Sequence, residues 1–278
     1  MSRVGRVAPR APPDDQTATF WITGQSSDGY SGALQLRPIP FARKFFIAAR
    51  PVRSNFITLM KPPPDPDRFA HERELWARGF IRVAGVDEAG RGPLAGPVVA
   101  AAVILPDGWR HSGIPETLRG LNDSKQLTAA QRENFFAVIQ ALPEISHGLA
   151  RVEAGRIDEI NILQATHQAM NLALAQLTPP PEHALVDGRP VRSLRFPQTA
   201  LVKGDSLSYS IAAASVLAKV TRDRLMLQYD RQWPAYGFAE HKGYGTPQHL
   251  AALAAHGPCP IHRRSFAPIR QPEPQLLM

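Results

Sequence analysis

The sequence lacks the residues that build disulfide frameworks, zinc sites and membrane spans. Its 278 residues include one cysteine, Cys259, so no disulfide can form within the chain, and no group of cysteines and histidines has zinc spacing. The longest unbroken apolar run covers 98–105, far short of the roughly 20 residues that a membrane-spanning helix needs. These absences predict a protein of the reducing cytoplasm that has no membrane partner.

Negative charge is also in short supply. The chain has 32 lysines and arginines against 24 aspartates and glutamates, which gives a formal net charge of +8. Such a balance favours polyanionic partners, although it says nothing about the fold. Residues 1–59 hold eight basic and three acidic residues, a net charge of +5, so much of the excess falls outside the segments that have the patterns of a folded domain.

The N-terminal segment has neither helical nor strand periodicity over any long window, and it contains several turn signals rich in proline and glycine. We therefore predict a disordered N-terminal extension over 1–59, one folded domain over 60–270 and a flexible tail over 271–278. Two alternatives stay open. The first is that translation begins at Met60 and gives a compact protein. The second is that the tail, QPEPQLLM, is a short docking peptide.

The middle of the chain alternates between apolar runs of strand length and segments with helical periodicity. The run at 98–105 predicts a strand buried on both faces. The segment 206–229 predicts a buried central helix, because its middle is apolar on nearly all sides. Arg222, Asp223 and Arg224, near the end of that helix, are interpreted as a solvated face. The order of elements predicts one α/β domain with a mixed sheet. The predicted strands cover 81–86, 98–105, 145–152, 183–186 and 199–202, and the predicted helices cover 68–78, 129–142, 160–177, 206–229 and 246–256.

Three aspartates, Asp87, Asp187 and Asp205, stand where apolar runs of strand type end. In open α/β sheets ligands gather outside strand ends, so neighbouring strands would bring these acids and Glu88 to one spot. Packed carboxylates repel one another and cannot all stay ionised without a cation. A site with oxygen ligands alone suits Mg²⁺ or Mn²⁺, and two such ions can serve a phosphoryl transfer.

Each of these acids, taken alone, has an ordinary structural explanation. Aspartate is a common turn residue, and Asp187-Gly188 is a frequent turn pair. Asp87 and Glu88 raise a further difficulty, because adjacent strand residues point to opposite faces and can serve one site only if the strand ends or bends there. The glycines that follow, at 90 and 92, make such a bend possible.

Three nearby segments have groups that bind phosphates and sugars. Gly90-Arg91-Gly92 offers amides and one guanidinium, although a tight loop with a solvated arginine has the same sequence. Lys125 lies in a polar stretch before a predicted helix. Tyr244 stands between two glycines, so it either caps the core or is presented to a ligand, where its ring can stack and its hydroxyl can reach a 2′-OH.

Six motifs, in this order, make the chain resemble bacterial ribonuclease HII, the type 2 ribonuclease H. The resemblance covers about 68–270 and implies a ribonuclease H-like catalytic domain of the α/β class, with a mixed five-stranded sheet flanked by helices and a helical C-terminal part. The motifs are VDEAGRGPLAGPVV (86–99), DSK (123–125), VDG (186–188), KGDS (203–206), IAAASVLAKVTRD (211–223) and YGFAEHKGYGT (236–246).

The resemblance also implies an activity and its partners. The family hydrolyses the RNA strand of RNA–DNA hybrids and incises duplex DNA on the 5′ side of embedded ribonucleotides, leaving 5′-phosphate and 3′-hydroxyl ends. A two-metal-ion mechanism with Mn²⁺ or Mg²⁺ is implied. The expected partners are therefore RNA–DNA hybrids and ribonucleotide-containing duplex DNA, and the expected state of the protein is a monomer.

Site residues follow from the same motifs. The Gly-Arg-Gly loop would grip the backbone around the ribonucleotide and read its 2′-OH, Tyr244 would stack at the ribose of the RNA-to-DNA junction, and Lys125 would contact the phosphate near the scissile bond. The implied catalytic and metal-binding residues are Asp87, Glu88, Asp187 and Asp205. The implied substrate-binding residues are Gly90, Arg91, Gly92, Lys125 and Tyr244.

Two other functions are weighed against this one. A nucleic-acid-binding module without catalysis is disfavoured by the four acids, because carboxylates repel phosphate unless they hold metal. An enzyme that binds a nucleotide through the glycine-rich loop is disfavoured because the chain has neither a G-x-x-x-x-G-K-[ST] motif nor a strand–G-x-G-x-x-G–helix unit. One stretch departs from the family pattern, since LSYS at 207–210 replaces a small apolar residue and a proline.

Overall fold

The structure, a computed structural model, describes residues 67–270. The predictions for 1–59 and for the tail at 271–278 concern residues outside that range, as does the start of the predicted domain at 60–66. Of the helices within the described range, none combines the length and the apolar composition that crossing a bilayer requires.

Five strands within this range form one mixed sheet. They are β1 (Val83–Ala89), β2 (Val98–Ile104), β3 (Ser146–Val152), β4 (His183–Asp187) and β5 (Gln198–Leu201). Their order across the sheet is β3-β2-β1-β4-β5. The first three strands pair antiparallel, whereas β4 runs parallel to both β1 and β5. The predicted mixed five-stranded sheet is thereby confirmed.

Eight α-helices of the described residues accompany the sheet. They are α1 (Ala70–Ala77), α2 (Trp109–Ser112), α3 (Ala129–Ala141), α4 (Ala154–Leu174), α5 (Gly204–Leu207), α6 (Tyr209–Gln232), α7 (Phe238–His241) and α8 (Pro247–His256). The five predicted helices are present. The sequence patterns missed α2 and α7 and did not separate α5 from α6, because a single turn is too short to show helical periodicity.

The sheet separates two apolar cores. α1, α3 and α6 pack on one face, where Val99, Ala101 and Val103 of β2 are buried. α4 packs on the other face, against Ala100 and Ala102 of the same strand. Every residue of β2 is therefore buried, as its unbroken apolar run predicted.

One strand boundary in the sequence prediction is wrong. The first strand does not end at Val86 but continues through Asp87 and Glu88 to Ala89. The extension exists because β2 remains the hydrogen-bonded partner of this stretch, with Asp87 opposite Ala101. The acids therefore lie inside a strand, close to its end, and not after it.

The predicted helix at 206–229 is in fact two helices, α5 and α6. Ser208 separates them, and its hydroxyl oxygen accepts a hydrogen bond from the Ile211 amide, which makes it the N-cap of α6. The hydroxyls of Ser208 and Ser210 also donate to Glu72 Oε1, at 2.6 and 2.8 Å. Burial raises the pKa of Glu72, and these hydrogen bonds oppose the rise. The serines of the departing LSYS stretch thus bond one oxygen, Oε1, of a buried carboxyl of α1.

Candidate active site

Three aspartates meet at one edge of the sheet. Asp87 lies in β1, Asp187 is the last residue of β4 and Asp205 lies in α5. One carboxylate oxygen of each lies within 4.8 Å of the other two. β1 and β4 run parallel and pair as far as Val86 and Val186, so the next residue of each strand reaches the same edge.

The segment after β5 places the third aspartate. Lys203 adopts a left-handed conformation with φ 59°, which turns the chain from β5 into α5. The Gly204 amide then donates to Asp187 Oδ1 at 2.7 Å. This bond fixes the start of α5 against the end of β4, and Asp205 follows directly.

Glu88 does not belong to this group of three. It follows Asp87 within β1, so the strand pleat directs its side chain away from that of its neighbour. Its Oε1 accepts a hydrogen bond from Arg91 Nη1 at 3.2 Å. Burial raises the pKa of Glu88, Arg91 lowers it and Asp187 raises it again. Glu88 is nevertheless close enough to interact electrostatically with Asp87 and Asp187, and it lines one cleft with Asp87 and another with Asp187.

Burial, followed by the crowding of like charge, raises the pKa of two of the aspartates. Burial, Glu88 and Asp187 together raise the pKa of Asp87 well above its usual range. Burial and then Asp187 and Asp123 raise the pKa of Asp205 to about 6. Converging carboxylates that resist ionisation are the expected environment for a divalent cation, and their donor atoms are the hard oxygens that Mg²⁺ and Mn²⁺ prefer. The residues present therefore fit divalent metal ions.

A cleft of about 280 Å³ joins Asp87 and Glu88 to the predicted substrate-binding residues, whereas Asp187 and Asp205 do not line it. Ser215 of α6 also lines it, and its hydroxyl lies beside Asp87 and donates to Ser124 Oγ at 2.9 Å. Sequence reasoning missed this serine, because it lies within an apolar helix. The predicted site residues that line the cleft are Asp87, Glu88, Gly90, Arg91, Gly92, Lys125 and Tyr244.

Lys125 is a lysine that interacts electrostatically with all three aspartates of the site. Partial burial lowers the pKa of its ammonium, but the carboxylates of Asp123, Asp205 and Asp87 raise it by more. The net direction is upward, so the side chain stays cationic beside the acids. A cation at this position is suited to a phosphate that reaches the carboxylates.

Tyr244 is presented to solvent at the opposite wall of the cleft. Its side chain is 47% exposed, which does not fit the alternative of a tyrosine that caps the core. The ring lies over Gly92, where an added Cβ would be 3.6 Å from Tyr244 Cε1. A ring that is half exposed and in contact with the Gly-Arg-Gly loop is available for stacking.

Two buried arginines hold the loop that carries this motif. The interpretation of Arg222 as part of a solvated face is wrong, since it is 1% exposed, and Arg263 is fully buried. Arg263 donates to the carbonyls of Gly90, Arg91 and Gly96 at 2.5 to 3.0 Å. The hydrogen bonds that both guanidiniums donate within the described residues go to main-chain carbonyls, and the Arg263 guanidinium also lies over the Phe266 ring.

Arg222 connects this loop to the segment that carries Tyr244. It donates to the carbonyls of Ala95, Pro97 and Lys242 at 3.0 to 3.1 Å. The Arg222 side chain also explains why residue 90 is a glycine. Gly90 has a φ of 96°, and an added Cβ would lie 2.0 Å from Arg222 Nε. Burial lowers the pKa of Arg222, and burial together with Arg222 lowers that of Arg263 to about 9.

A chain of histidines supports Tyr244 from below. The Cys259 amide donates to His262 Nδ1 at 2.9 Å, so Nε2 of that ring is free to donate to His249 Nε2 at 2.9 Å. His249 Nδ1 in turn donates to the Tyr244 carbonyl at 2.9 Å. This order of donors and acceptors requires neutral rings. Burial and then His249 lower the pKa of His262 to about 4, which agrees with neutral rings. The sequence showed no histidine cluster, because these rings are 13 residues apart.

Comparison with known proteins gives one family. The family model for ribonuclease HII matches residues 84–269 of this chain. The chain is 57% identical over 201 residues to ribonuclease HII of Geobacillus kaustophilus, covering 72% of this chain and 74% of that protein. It is 53% identical over 207 residues to ribonuclease HII of Geobacter metallireducens, covering 72% of this chain and 93% of that protein.

Among solved structures, the fold is similar to the crystal structure of ribonuclease H2 from Pyrococcus horikoshii. The two share 30% of their sequence with a TM-score of 0.57, and the match covers 68% of this chain and 95% of the other. The range matched by the family model, 84–269, includes β2 to β5, all of β1 except Val83, and the residues that line the cleft described above.

Proposed function

Because the chain belongs to the ribonuclease HII family, and is therefore a ribonuclease H that acts on RNA–DNA hybrids, we propose that it also incises duplex DNA at single embedded ribonucleotides. The cut falls on the 5′ side of the ribonucleotide and leaves 5′-phosphate and 3′-hydroxyl ends. The observation that carries the proposal is the position of Asp87, which lies within 4.8 Å of Asp187 and Asp205 and also lines the cleft of the half-exposed Tyr244 and the Gly-Arg-Gly loop.

The family uses divalent metals, and the residues that would hold two Mn²⁺ or Mg²⁺ ions are Asp87, Glu88, Asp187 and Asp205. Such ions, when bound, supply the positive charge that stabilises the attacking and leaving oxygens of a phosphodiester hydrolysis. The pKa of Asp87 and that of Asp205 are raised by burial and then by neighbouring acids, and this supports the assignment, since a shared cation offsets both effects.

The remaining residues of the cleft position the nucleic acid. Tyr244 stacks at the ribose of the junction, and the main chain of the Gly-Arg-Gly loop lies close enough to read the 2′-OH. Arg263 supports that function by holding the carbonyls of Gly90 and Arg91 toward the protein interior. Lys125, kept cationic by the acids around it, contacts the phosphate beside the scissile bond.

The test is a cleavage assay on a labelled DNA duplex that contains one ribonucleotide. With Mn²⁺ or Mg²⁺ we expect a single cut on the 5′ side of the ribonucleotide, and addition of EDTA should abolish it. An all-DNA duplex of the same sequence is the control and should stay intact. Cleavage that persists in EDTA, or a cut on the 3′ side, would contradict the proposal.

A binding module without catalysis, the alternative raised by the composition, is not favoured, because the chain is a member of an enzyme family. We further propose that the protein works as a monomer in the cytoplasm. Light scattering coupled to size-exclusion chromatography should give one chain per particle, and cell fractionation should recover the protein with cytoplasmic markers.

A further inference from the structure

A second cleft opens from the acids on the other side of the strand end. It has a volume of about 580 Å³, begins at Glu88 and Asp187 and lies between α4 and the loop 188–197 that joins β4 to β5. A neighbouring cleft of about 510 Å³ lies between the same helix and loop. The two adjoin, since Leu163 and Arg192 line the first and Gln164 and Ser193 line the second.

Three arginines of the loop line these two clefts. Arg189, Arg192 and Arg195 recur at every third residue, and all three are exposed. None of them has an ion-pair partner within residues 67–270, whereas Arg119 pairs with Glu116 at 2.8 Å and Arg156 pairs with Glu159 at 2.7 Å. Exposed arginines that are left without acids are available to an anionic ligand. We call Arg189, Arg192 and Arg195 the arginine strip.

The clefts themselves contain little negative charge. The only acids that line them, within the described part of the chain, are Glu88 and Asp187 at the end shared with the active site. The side chains of Gln164, Gln168 and Asn171 line the far end and supply neutral hydrogen-bonding groups. The charge therefore changes from acidic at the site to basic along the strip.

The loop that carries the strip is held firmly by side chains of the core. Val191 is buried, and its amide and carbonyl both bond to the Gln198 side chain, at 2.8 and 2.7 Å. Asn171 of α4 accepts from the Arg195 amide and donates to the Ser193 carbonyl, each at 3.1 Å. The arginines thus extend from a fixed main chain, which reduces the entropy lost when they bind a ligand.

We propose that the arginine strip binds the phosphate backbone of the substrate duplex on one side of the cut. The proposal rests on the proposed function, because the cleft begins at two of the acids where the strand would be cleaved. A nucleic-acid backbone presents a row of phosphates, each of which an arginine can bind through two parallel hydrogen bonds. These contacts would position the duplex without reading its sequence.

The test compares two triple variants that remove the same charge. The first, R189Q/R192Q/R195Q, removes the arginine strip. The matched control, R78Q/R110Q/R119Q, removes three exposed arginines that lie close to elements packed on the opposite face of the sheet. Binding to an RNA–DNA hybrid is measured by fluorescence anisotropy as a function of salt, in a D87N background that prevents cleavage. Thermal unfolding of each variant checks that the fold is intact.

Removal of the strip should weaken binding about 10- to 100-fold at low salt. It should also reduce the slope of log affinity against log salt by about 2 to 3, since each lost phosphate contact accounts for about 0.9. In the active protein KM should rise while kcat stays within about twofold, because the strip does not touch the reacting atoms. The R189K/R192K/R195K variant should restore most of the salt slope, since lysine keeps the charge.

Duplexes trimmed on one side of the cut locate the contact. On the duplex that lacks one flank, the strip variant and the unsubstituted protein should bind equally well. On the duplex that lacks the other flank, the strip variant should still bind more weakly. An equal loss of hybrid affinity in the control variant would overturn the proposal. Unchanged hybrid affinity in the strip variant would also overturn it, and would indicate that a protein partner binds this surface. Failure of the unsubstituted protein to cut a duplex that contains one ribonucleotide would instead refute the proposed function.

Discussion

On one side of the catalytic cleft, Asp87, Asp187 and Asp205 bring like charges within 4.8 Å of one another. We call this group the acid side. On the other, the loop side, the segments 90–97 and 241–246 are held by buried arginines and histidines that bond to main-chain atoms and, for two of the histidines, to each other. The acid side is strained without a cation, whereas the loop side is complete without a ligand.

This difference indicates how the two sides serve the reaction. Residues that bind metal need unsatisfied charge, which lowers the stability of the free protein. Residues that recognise a ribonucleotide need a fixed shape, which requires a fully bonded support. Substitutions on the two sides should therefore change activity in the same direction and stability in opposite directions.

The largest effect on activity is expected at the acid side. Asp87→Asn should reduce kcat by at least about a thousandfold, because it removes a charged ligand from the group that would hold the metal. It should leave binding of a ribonucleotide-containing duplex intact. It should also raise the melting temperature of the metal-free protein, because it relieves repulsion with Glu88 and Asp187.

The measurements are single-turnover cleavage, duplex binding and thermal unfolding in EDTA. Glu116→Gln, which changes a carboxylate that is 73% exposed, is the control and should alter none of the three. A metal-free Asp87→Asn protein that melts below the unsubstituted protein would contradict the account of the acid side.

Arg263→Gln should give the next largest effect, and here stability should fall. Several buried carbonyls lose their donors, and each unsatisfied group costs about 1–3 kcal/mol, so the free energy of unfolding should drop by about 3 kcal/mol or more. Chemical denaturation measures the change. The neighbouring exposed residue supplies the control, since Arg264→Gln should stay within about 0.5 kcal/mol of the unsubstituted protein.

A smaller and more selective effect is expected for Tyr244→Ala. Loss of a stacking ring should lower kcat/KM on the single-ribonucleotide duplex by about 10-fold or more, because one such stack is worth roughly 1–3 kcal/mol. The loss on long RNA–DNA hybrids should be clearly smaller. Tyr244→Phe keeps the ring and separates stacking from the hydroxyl. An equal loss on both substrates would refute the role at the junction.

How far the sequence predicted these features depends on the range of the interactions involved. Asp87, Asp187 and Asp205 stand where apolar runs end in the sequence, so local patterns are enough to predict that they converge. The support of the loop side depends on residues such as Arg263, which bonds to Gly90 from 173 positions away. No local pattern marks such a contact, which is why Arg222 was interpreted as solvated.

The smallest effect concerns pH and the histidines under Tyr244. The pKa of His262 is about 4 in the folded protein, compared with about 6.5 for a free histidine. Between these values the unfolded chain binds more protons than the folded one, so stability falls as the pH falls from 6.5 toward 4. For this group the slope is at most about 1.4 kcal/mol per pH unit.

Other groups titrate in the same window, so the variant His262→Gln isolates the contribution. Its melting temperature should depend less on pH between 4 and 6.5 than that of the unsubstituted protein. His111→Gln, an exposed histidine, should leave the dependence unchanged. If the melting temperature of His262→Gln depends on pH as strongly as that of the unsubstituted protein, protonation of the histidine chain does not cause the dependence.

The central claim is that separate segments of the chain fold so that their aspartates share divalent ions, and Mn²⁺ binding tests it most directly. Electron paramagnetic resonance counts free Mn²⁺ during a titration of the full chain without nucleic acid. We expect saturable binding by the unsubstituted protein, weakened about 10-fold or more by Asp187→Asn and unaffected by Glu116→Gln. Identical Mn²⁺ binding by the unsubstituted protein and by Asp187→Asn would contradict the claim.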